Sequence, residues 1–160
     1  MVQGIIIPVS DADDMRALEF REVKDYQRAV GGWIEAIDIL SFGCTMYLSE
    51  EGLIRGLPYN RRATYLWWYH VPHARGQARL AGDAVLVGLP GQDGWNTDVP
   101  VTEQALLRGA MLCQVELQRL DSEEWRATPS EPQTYIEAVV GATLMMEYAT
   151  DRLLRVVPLP

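Results

Sequence analysis

Short runs of apolar and β-branched residues, each ended by a proline or glycine turn, recur along the chain and constrain it to form a sheet. The first run, residues 2–7, ends at Pro8. Residues 33–39 alternate between two faces, which is the period of a strand. A further run at 45–48 ends at a turn that contains Gly52. The runs between residues 33 and 54 predict a β-meander, whose neighbouring strands are antiparallel.

Helix signals lie between these runs. Residues 23–30 place apolar side chains on one face, and Gly31 supplies a C-terminal stop. Asn60 can cap a helix that begins at Arg61 and ends before Pro72. The first half of the chain therefore predicts two helices among the strands.

The last third of the chain leaves one alternative open. Ser130 and Gln133 have the spacing of a capping box and predict a helix that runs to about Tyr148. Residues 135–140 are β-rich, so two strands are the competing interpretation. Further expectations are strands at 84–87, 112–120 and 153–157, a short strand or helix entry at 17–20, and a short helix at 103–108 capped by Thr102.

These elements predict one α+β domain over residues 1–160, with a mainly antiparallel sheet and two or three packed helices. The length of 160 residues is near the commonest domain size. An apolar content of 48% is sufficient for a core and argues against global disorder.

Charge is segregated along the chain. Residues 52–82, which we call the Arg/aromatic segment, contain five arginines and no acid in a chain whose formal net charge is −8. Three tyrosines and two tryptophans lie among these arginines. Such a segment predicts a surface that meets an anionic or planar partner.

The overall composition limits the class of partner and compartment. A pI near 4.7 argues against direct nucleic-acid binding, although an acidic protein can mimic DNA. No run of residues is long enough to span a membrane, and the N-terminus lacks the basic region of a signal peptide. We therefore expect a cytoplasmic protein without a membrane partner. Cys44 and Cys113 lie in apolar runs and are expected to be buried free thiols.

The start of the second predicted helix is the leading candidate for a site. Asn60, Arg61 and Arg62 lie at a helix N-terminus, where backbone N–H groups and guanidinium groups can bind an anion. The alternative is a capped helix with no ligand. The downstream rings either pack in the core or form a stacking platform or protein-binding patch. The predicted binding residues are Tyr59, Asn60, Arg61, Arg62, Trp67, Trp68, Tyr69, Arg75 and Arg79.

Catalytic and metal sites are not expected. His70 and His73 are separated by Pro72, and no acid or thiol lies in the same segment to complete a metal site. Loop carboxylates such as Asp93 and Asp98 are expected to be solvated. Glu35 is expected to be half-buried, with Arg61 as a candidate partner in a structural ion pair. We therefore predict no enzymatic activity and no cofactor.

Three separated blocks in the middle of the chain carry a family resemblance. They are Tyr26-Gln27-x-x-Val30-Gly31-Gly32-x-Ile34-Glu35, Glu50-Glu51-Gly52-x-x-x-Gly56-Leu57-Pro58-x-Asn60-Arg61 and Gly82-Asp83-Ala84-x-x-Val87-Gly88. In order and spacing they resemble a family of small uncharacterised proteins from bacteriophages and conjugative elements, mostly of Gram-positive bacteria. The resemblance spans about residues 26–98, and the segment after Pro100 matches nothing in the family. Residues 101–160 are therefore expected to be a C-terminal extension packed on this core.

The resemblance implies an accessory protein of a phage or mobile element but transfers no catalytic residue. Together with the charge pattern, it predicts a non-enzymatic protein that binds a host protein or a small anionic ligand through the Arg/aromatic segment. One alternative is a nucleotide-sequestering counter-defence protein, which needs a deep pocket with stacking rings. Another is an acidic DNA mimic that inhibits a host nucleic-acid-binding protein. A homodimer through the aromatic rings is also open.

Overall fold

A computed structural model describes the whole chain, from Met1 to Pro160. The residues form two compact units, Met1–Gln104 and Ala105–Pro160. Antiparallel strands and α-helices occur in both, which confirms the α+β class. The strands form two antiparallel sheets where one was expected, and there are four α-helices rather than two or three.

The first unit is built on a six-stranded sheet. Its elements are β1 (Val2–Ile7), β2 (Arg16–Phe20), α1 (Val23–Val30), β3 (Ile34–Ile39), β4 (Cys44–Ser49), α2 (Arg61–His70), β5 (Ala84–Pro90), β6 (Asn96–Thr97) and the beginning of α3 (Val101–Leu107). The strand order is β2-β1-β5-β4-β3, and β6 pairs with β5. All of these pairings are antiparallel, as expected for a mainly antiparallel sheet, and β3 and β4 form the hairpin within the predicted meander.

The centre of this sheet forms the core of the first unit. Ile5 and Ile7 of β1 and residues 84–87 of β5 are fully inaccessible to solvent. The continuous apolar run of β5 is explained by its central position, because it has a hydrogen-bonded neighbour on each side and side chains covered on both faces.

Helix α1 begins and ends where the sequence predicted. The Asp25 carboxylate accepts hydrogen bonds from the backbone N–H groups of Arg21 and Glu22, and these bonds hold its pKa below the usual range. Gly31 ends the helix at a φ of +81°, a left-handed conformation that glycine adopts without steric cost. Tyr26 and Val30 pack this helix against the sheet.

The second unit pairs one long helix with a four-stranded sheet. Its further elements are β7 (Leu112–Arg119), β8 (Trp125–Ala127), β9 (Gln133–Thr134), α4 (Tyr135–Tyr148) and β10 (Arg152–Pro158). Strand β7 is central, with β10 on one side and β8 and β9 on the other. Helix α4 lies against β7 and β10.

The helical interpretation of the last third is confirmed, but its predicted start is wrong. Thr134, not Ser130, is the N-cap residue of α4, because Gln133 pairs with Cys113 in β9. Likewise, α3 starts at Val101, one residue before the predicted cap Thr102. The two-residue strand β9 is too short to produce a sequence pattern, so the spacing favoured a capping box instead.

Both cysteines are buried free thiols, as predicted. Burial raises the pKa of the Cys44 thiol to about 12, which keeps it protonated and unreactive at neutral pH. No helix of the protein combines the length and the apolar character required to cross a bilayer.

The close approach of β5 to β6 requires glycine at position 88. A Cβ atom there would overlap the carbonyl oxygen of Asp98 and the hydroxyl of Thr97. We expect Gly88→Ala to lower the free energy of unfolding by about 2–3 kcal/mol, measured by urea denaturation. Gly91→Ala is the matched control, because its Cβ would meet no atom closer than 3.4 Å. Equal stability of the two variants would contradict this packing.

Candidate functional site

The Arg/aromatic segment leaves the sheet after β4 and returns to it before β5, and its two ends are hydrogen-bonded to each other. The Asn60 N–H donates to the Leu80 carbonyl, and the Gly82 N–H donates to the Pro58 carbonyl, both at 2.8 Å. Between them, Tyr59 and Ala81 form an antiparallel bridge. Helix α2 therefore lies in a long connection between β4 and β5 whose two ends are hydrogen-bonded together at the edge of the core.

Asn60 fixes this base from inside the core. Its side-chain oxygen accepts a hydrogen bond from the Ala63 N–H at 3.0 Å, which confirms the predicted helix cap. Its side-chain nitrogen donates to the carbonyls of Ile7 and Gly82, each at 2.9 Å. Because Asn60 is 0% exposed and bonded through both polar atoms, its role in the structure is to join β1, α2 and β5 rather than to contact a ligand.

Arg62 is also used internally. Its guanidinium donates to the backbone carbonyls of Pro8, Ser10 and Asp13 at 2.7–2.8 Å. The side chain is buried, and these bonds hold the loop between β1 and β2 against α2. Arginine suits this role because its fork of donors can reach several carbonyls at once.

Arg61 forms an ion pair with Asp11, whose carboxylate lies 3.3 Å from the guanidinium. The other oxygen of Asp11 lies 3.5 Å from Nε of Arg62, so one acid serves both arginines. The predicted pair of Arg61 with Glu35 is wrong, because Glu35 is exposed on the edge strand β3. Asp11 belongs to a loop far away in the sequence, which is why the pairing was missed.

The rings of α2 mostly face the protein. The Trp68 indole is buried and donates to the Ala78 carbonyl at 3.0 Å, and the ring of Tyr65 packs edge-on against it. Arg75 donates to the Trp68 carbonyl at 3.3 Å. Trp67 and Tyr69 are partly buried. The core interpretation of these aromatic residues therefore accounts for most of their surface.

Tyr59 and Arg79 are the exposed members of the predicted set. Tyr59 is 39% exposed, and the Arg79 guanidinium lies 5.4 Å from the centre of its ring in a cation–π contact. The nine predicted residues thus divide into three groups. The buried group is Asn60, Arg62 and Trp68. The partly buried group is Arg61, Trp67, Tyr69 and Arg75, and the exposed group is Tyr59 and Arg79.

His70, at the end of α2, is a packed residue. Its ring stacks on Phe42 with 4.7 Å between centroids, and its Nδ1 lies 3.0 Å from the Ser41 hydroxyl. Burial lowers the pKa of His70 to about 4, so the ring is neutral at neutral pH. His73 is exposed. No group of three or more histidine, cysteine or acidic side chains comes together in a geometry that could hold a metal ion.

Three aspartates that precede or follow strands bond to backbone N–H groups. Asp83 accepts from Val9 at 2.9 Å, and Asp93 accepts from Trp95 at 3.0 Å. Asp98 accepts from Gln3 at 2.7 Å. The expectation that the loop acids are merely solvated is therefore incomplete, because these carboxylates hold loops and strand ends in place.

A cavity of about 300 Å³ lies outside the predicted residues. Its lining includes the rings of Phe20, Tyr26, Tyr47 and Trp95, and Arg21 lies at its rim. These residues come from β2, α1, β4 and the loop before β6, so no single stretch of sequence indicates a site. The one feature of the sequence that could have indicated this cavity is Tyr26 on the inward face of α1, since β4 carries a second tyrosine, Tyr47.

A family model described as "Domain of unknown function (DUF3846)" matches residues 3–110. The chain belongs to this family. No curated protein and no solved structure matches the chain. The DUF3846 match is longer at both ends than the predicted range of residues 26–98. It corrects the expectation that nothing after Pro100 has a counterpart, and it includes the whole Arg/aromatic segment and the four rings of the cavity.

The buried bonds of Asn60 predict a large loss of stability when they are removed. Asn60→Ala deletes the helix cap and leaves the Ile7 and Gly82 carbonyls buried without this donor, so we expect unfolding to become easier by about 3 kcal/mol. Asn60→Asp keeps the cap acceptor but loses both donors and should be similarly destabilised. Arg79→Ala, in the same segment, should change stability by less than about 0.5 kcal/mol. Denaturant midpoints measure all three, and a wild-type midpoint for Asn60→Asp would contradict the role of the donor bonds.

The lowered pKa of His70 predicts acid-sensitive folding. The unfolded chain takes up a proton as the pH falls below about 6.5, whereas the folded ring resists protonation until about pH 4. The contribution of His70 to the free energy of unfolding is therefore fully present above pH 6.5 and is lost as the pH falls toward 4. We expect His70→Phe to reduce the stability difference between pH 7 and pH 4.5 by about 2 kcal/mol. His73→Phe is the control, and an equal effect in both variants would contradict the assignment.

Proposed function

We propose that this DUF3846 protein is a non-enzymatic accessory protein of a phage or mobile element that binds a host protein in the cytoplasm of the host. The three sequence blocks between residues 26 and 88 resemble proteins of phages and conjugative elements, and this resemblance supports an origin in a mobile element. The segregation of arginine and aromatic residues into one segment of an acidic chain supports a dedicated contact surface.

The observation that carries the proposal is the exposed Tyr59–Arg79 pair at the base of the Arg/aromatic segment. The two side chains are in cation–π contact, so the pair offers a preorganised aromatic and cationic surface. Tyrosine and arginine are among the residues that contribute most to binding energy in protein interfaces. The half-exposed Arg61 adds a second cation to the same segment.

A host protein is favoured over a small anionic ligand at this segment. Tight binding of a small anion needs several guanidinium groups that converge on one point and are not already paired. Here Arg62 is bonded to three backbone carbonyls, Arg61 is paired with Asp11, and Arg75 is bonded to Trp68. A protein partner can instead contact the surface over a wide area without displacing these bonds.

The DNA-mimic alternative has less support. A mimic needs carboxylates that are free and spaced like phosphates along one face. Several acids of the first unit are instead bonded within the protein: Asp11 to arginines, and Asp25, Asp83 and Asp98 to backbone N–H groups. These carboxylates stabilise loops and a helix start, so they are not part of a phosphate-like row.

Replacing both members of the exposed pair should remove the partner. We expect Tyr59→Ala/Arg79→Ala to weaken binding by about 30-fold or more, since two interface residues of this kind typically contribute about 2 kcal/mol or more. The measurement is quantitative capture from host extract, followed by titration with the purified captured protein.

The control is Tyr148→Ala/Arg152→Ala, which removes the same two residue types from exposed positions in the second unit. Equal binding by both double variants would exclude the Tyr59–Arg79 surface. No captured protein, together with a dimer of the purified chain in solution, would favour the homodimer over the host partner.

A further inference from the structure

The aromatic cavity of the first unit has the form of a small-molecule site. Its rings come from four elements: Phe20 ends β2, Tyr26 lies on α1, Tyr47 lies on β4, and Trp95 precedes β6. Its volume of about 300 Å³ lies at the lower end of the range of ligand pockets. That volume suits a ligand with one planar ring system and its attached groups rather than a dinucleotide.

The inner wall of the cavity is preformed. The rings of Phe20 and Tyr26 stack with 4.5 Å between centroids and 12° between planes, and Tyr47 lies 4.9 Å from Tyr26. All three rings pack against the same core cluster, which contains Val85 and Val87 of the central strand. Phe20 is only 2% exposed and supports Tyr26 from behind, so a flat ligand meets the partly exposed rings of Tyr26 and Tyr47. Because this packing holds the two rings in place, little free energy is lost in ordering them.

The mouth of the cavity carries an exposed indole on an ordered turn. Trp95 is 69% exposed, yet its backbone N–H donates to Asp93 at 3.0 Å and its carbonyl accepts from Gly91 at 2.8 Å. Gly94 makes this turn at a φ of +82°. The turn thus holds a large apolar ring at the opening, where stacking on a ligand would cover it.

One polar group inside the cavity is used by the protein, and another is available. The Tyr47 hydroxyl donates to Asn96 at 2.6 Å, and Asn96 donates in turn to the Gly88 carbonyl. The Tyr26 hydroxyl has no hydrogen-bond partner in the protein. Burial raises the pKa of Tyr26 to about 12, so this hydroxyl remains a neutral donor at neutral pH.

The rim supplies one available cation. Arg21 lines the cavity, and no carboxylate lies within salt-bridge distance of its guanidinium. Its acidic neighbour Glu22 takes part in the capping box of α1, and Asp25 accepts from the backbone N–H groups of both residues. Glu22 also lines the cavity, so an anionic group must sit on the Arg21 side of the lining, away from this carboxylate.

We propose that this cavity binds a planar aromatic ring that carries one anionic group. The ring stacks between Trp95 and the inner rings, the Tyr26 hydroxyl donates to it, and Arg21 contacts the anion. A nucleoside monophosphate and an aromatic carboxylate both have this chemistry. The cavity shares no residue with the Arg/aromatic segment, so this inference does not rest on the proposed function.

The test is a calorimetric titration of the full chain with two series of probes. The first series is AMP, GMP, CMP and UMP, each compared with its nucleoside. The second is indole-3-acetate and benzoate, each compared with its amide. We expect at least one charged probe to bind with a dissociation constant below 1 mM. Its uncharged counterpart should bind at least fivefold more weakly, and the series that binds identifies the source of the ligand.

Matched variants assign the binding to this cavity. Trp95→Ala and Arg21→Ala should each weaken binding at least tenfold. Trp33→Ala removes a tryptophan that is 65% exposed outside the cavity lining, and Arg28→Ala removes an exposed arginine of α1, the helix that carries Tyr26. Both variants should bind within twofold of wild type. Tyr26→Phe keeps the ring and tests the hydroxyl, with an expected loss of three- to fivefold.

Three results would each overturn the proposal. The first is that no probe in either series binds below 1 mM to the wild-type chain, which circular dichroism shows to be folded. The second is that binding survives Trp95→Ala and Arg21→Ala. The third is that the nucleosides and amides bind as tightly as the charged probes.

Discussion

The buried side chain of Asn60 is the interaction on which the first unit depends. A single amide caps α2, binds a carbonyl of β1 and binds the residue at which the chain returns to β5. Three segments that are far apart in the sequence are thereby held at one point. Because a buried amide must satisfy all its polar atoms, the geometry of this point is narrowly determined. The placement of α2 and of the whole Arg/aromatic segment follows from it.

The arginines show that a charge-rich segment in the sequence need not be a charged surface. Arg62 closes the loop after β1 by donating to three carbonyls, and Asp11 of that loop compensates both Arg61 and Arg62. Much of the positive charge is thus used to attach an acidic loop. The exposed part of the segment is smaller than its composition suggests and lies around Tyr59 and Arg79, which are in cation–π contact.

The aromatic cavity illustrates the opposite case, in which ordinary residues become a site only after folding. Phe20, Tyr26, Tyr47 and Trp95 are unremarkable in the sequence, and each could be a core residue. Antiparallel pairing and the packing of α1 bring the first three into contact, and the turn before β6 adds Trp95 at the opening. The first unit therefore carries two separate surfaces with different chemistry, the exposed Tyr59–Arg79 pair and the aromatic cavity.

The sequence by itself determined the elements whose signals are local. Helix α1 ends at a glycine because left-handed backbone is required there, α2 begins after an asparagine cap, and the alternating and β-branched runs become strands. Tertiary structure decided what depends on distant partners: the strand order, the short strands β8 and β9, the start of α4, the pairing of Arg61 with Asp11 and the cavity. The physical reason is range. Caps and turns are satisfied within a few residues, whereas ion pairs, sheet edges and pockets are completed by side chains whose neighbours only the fold selects.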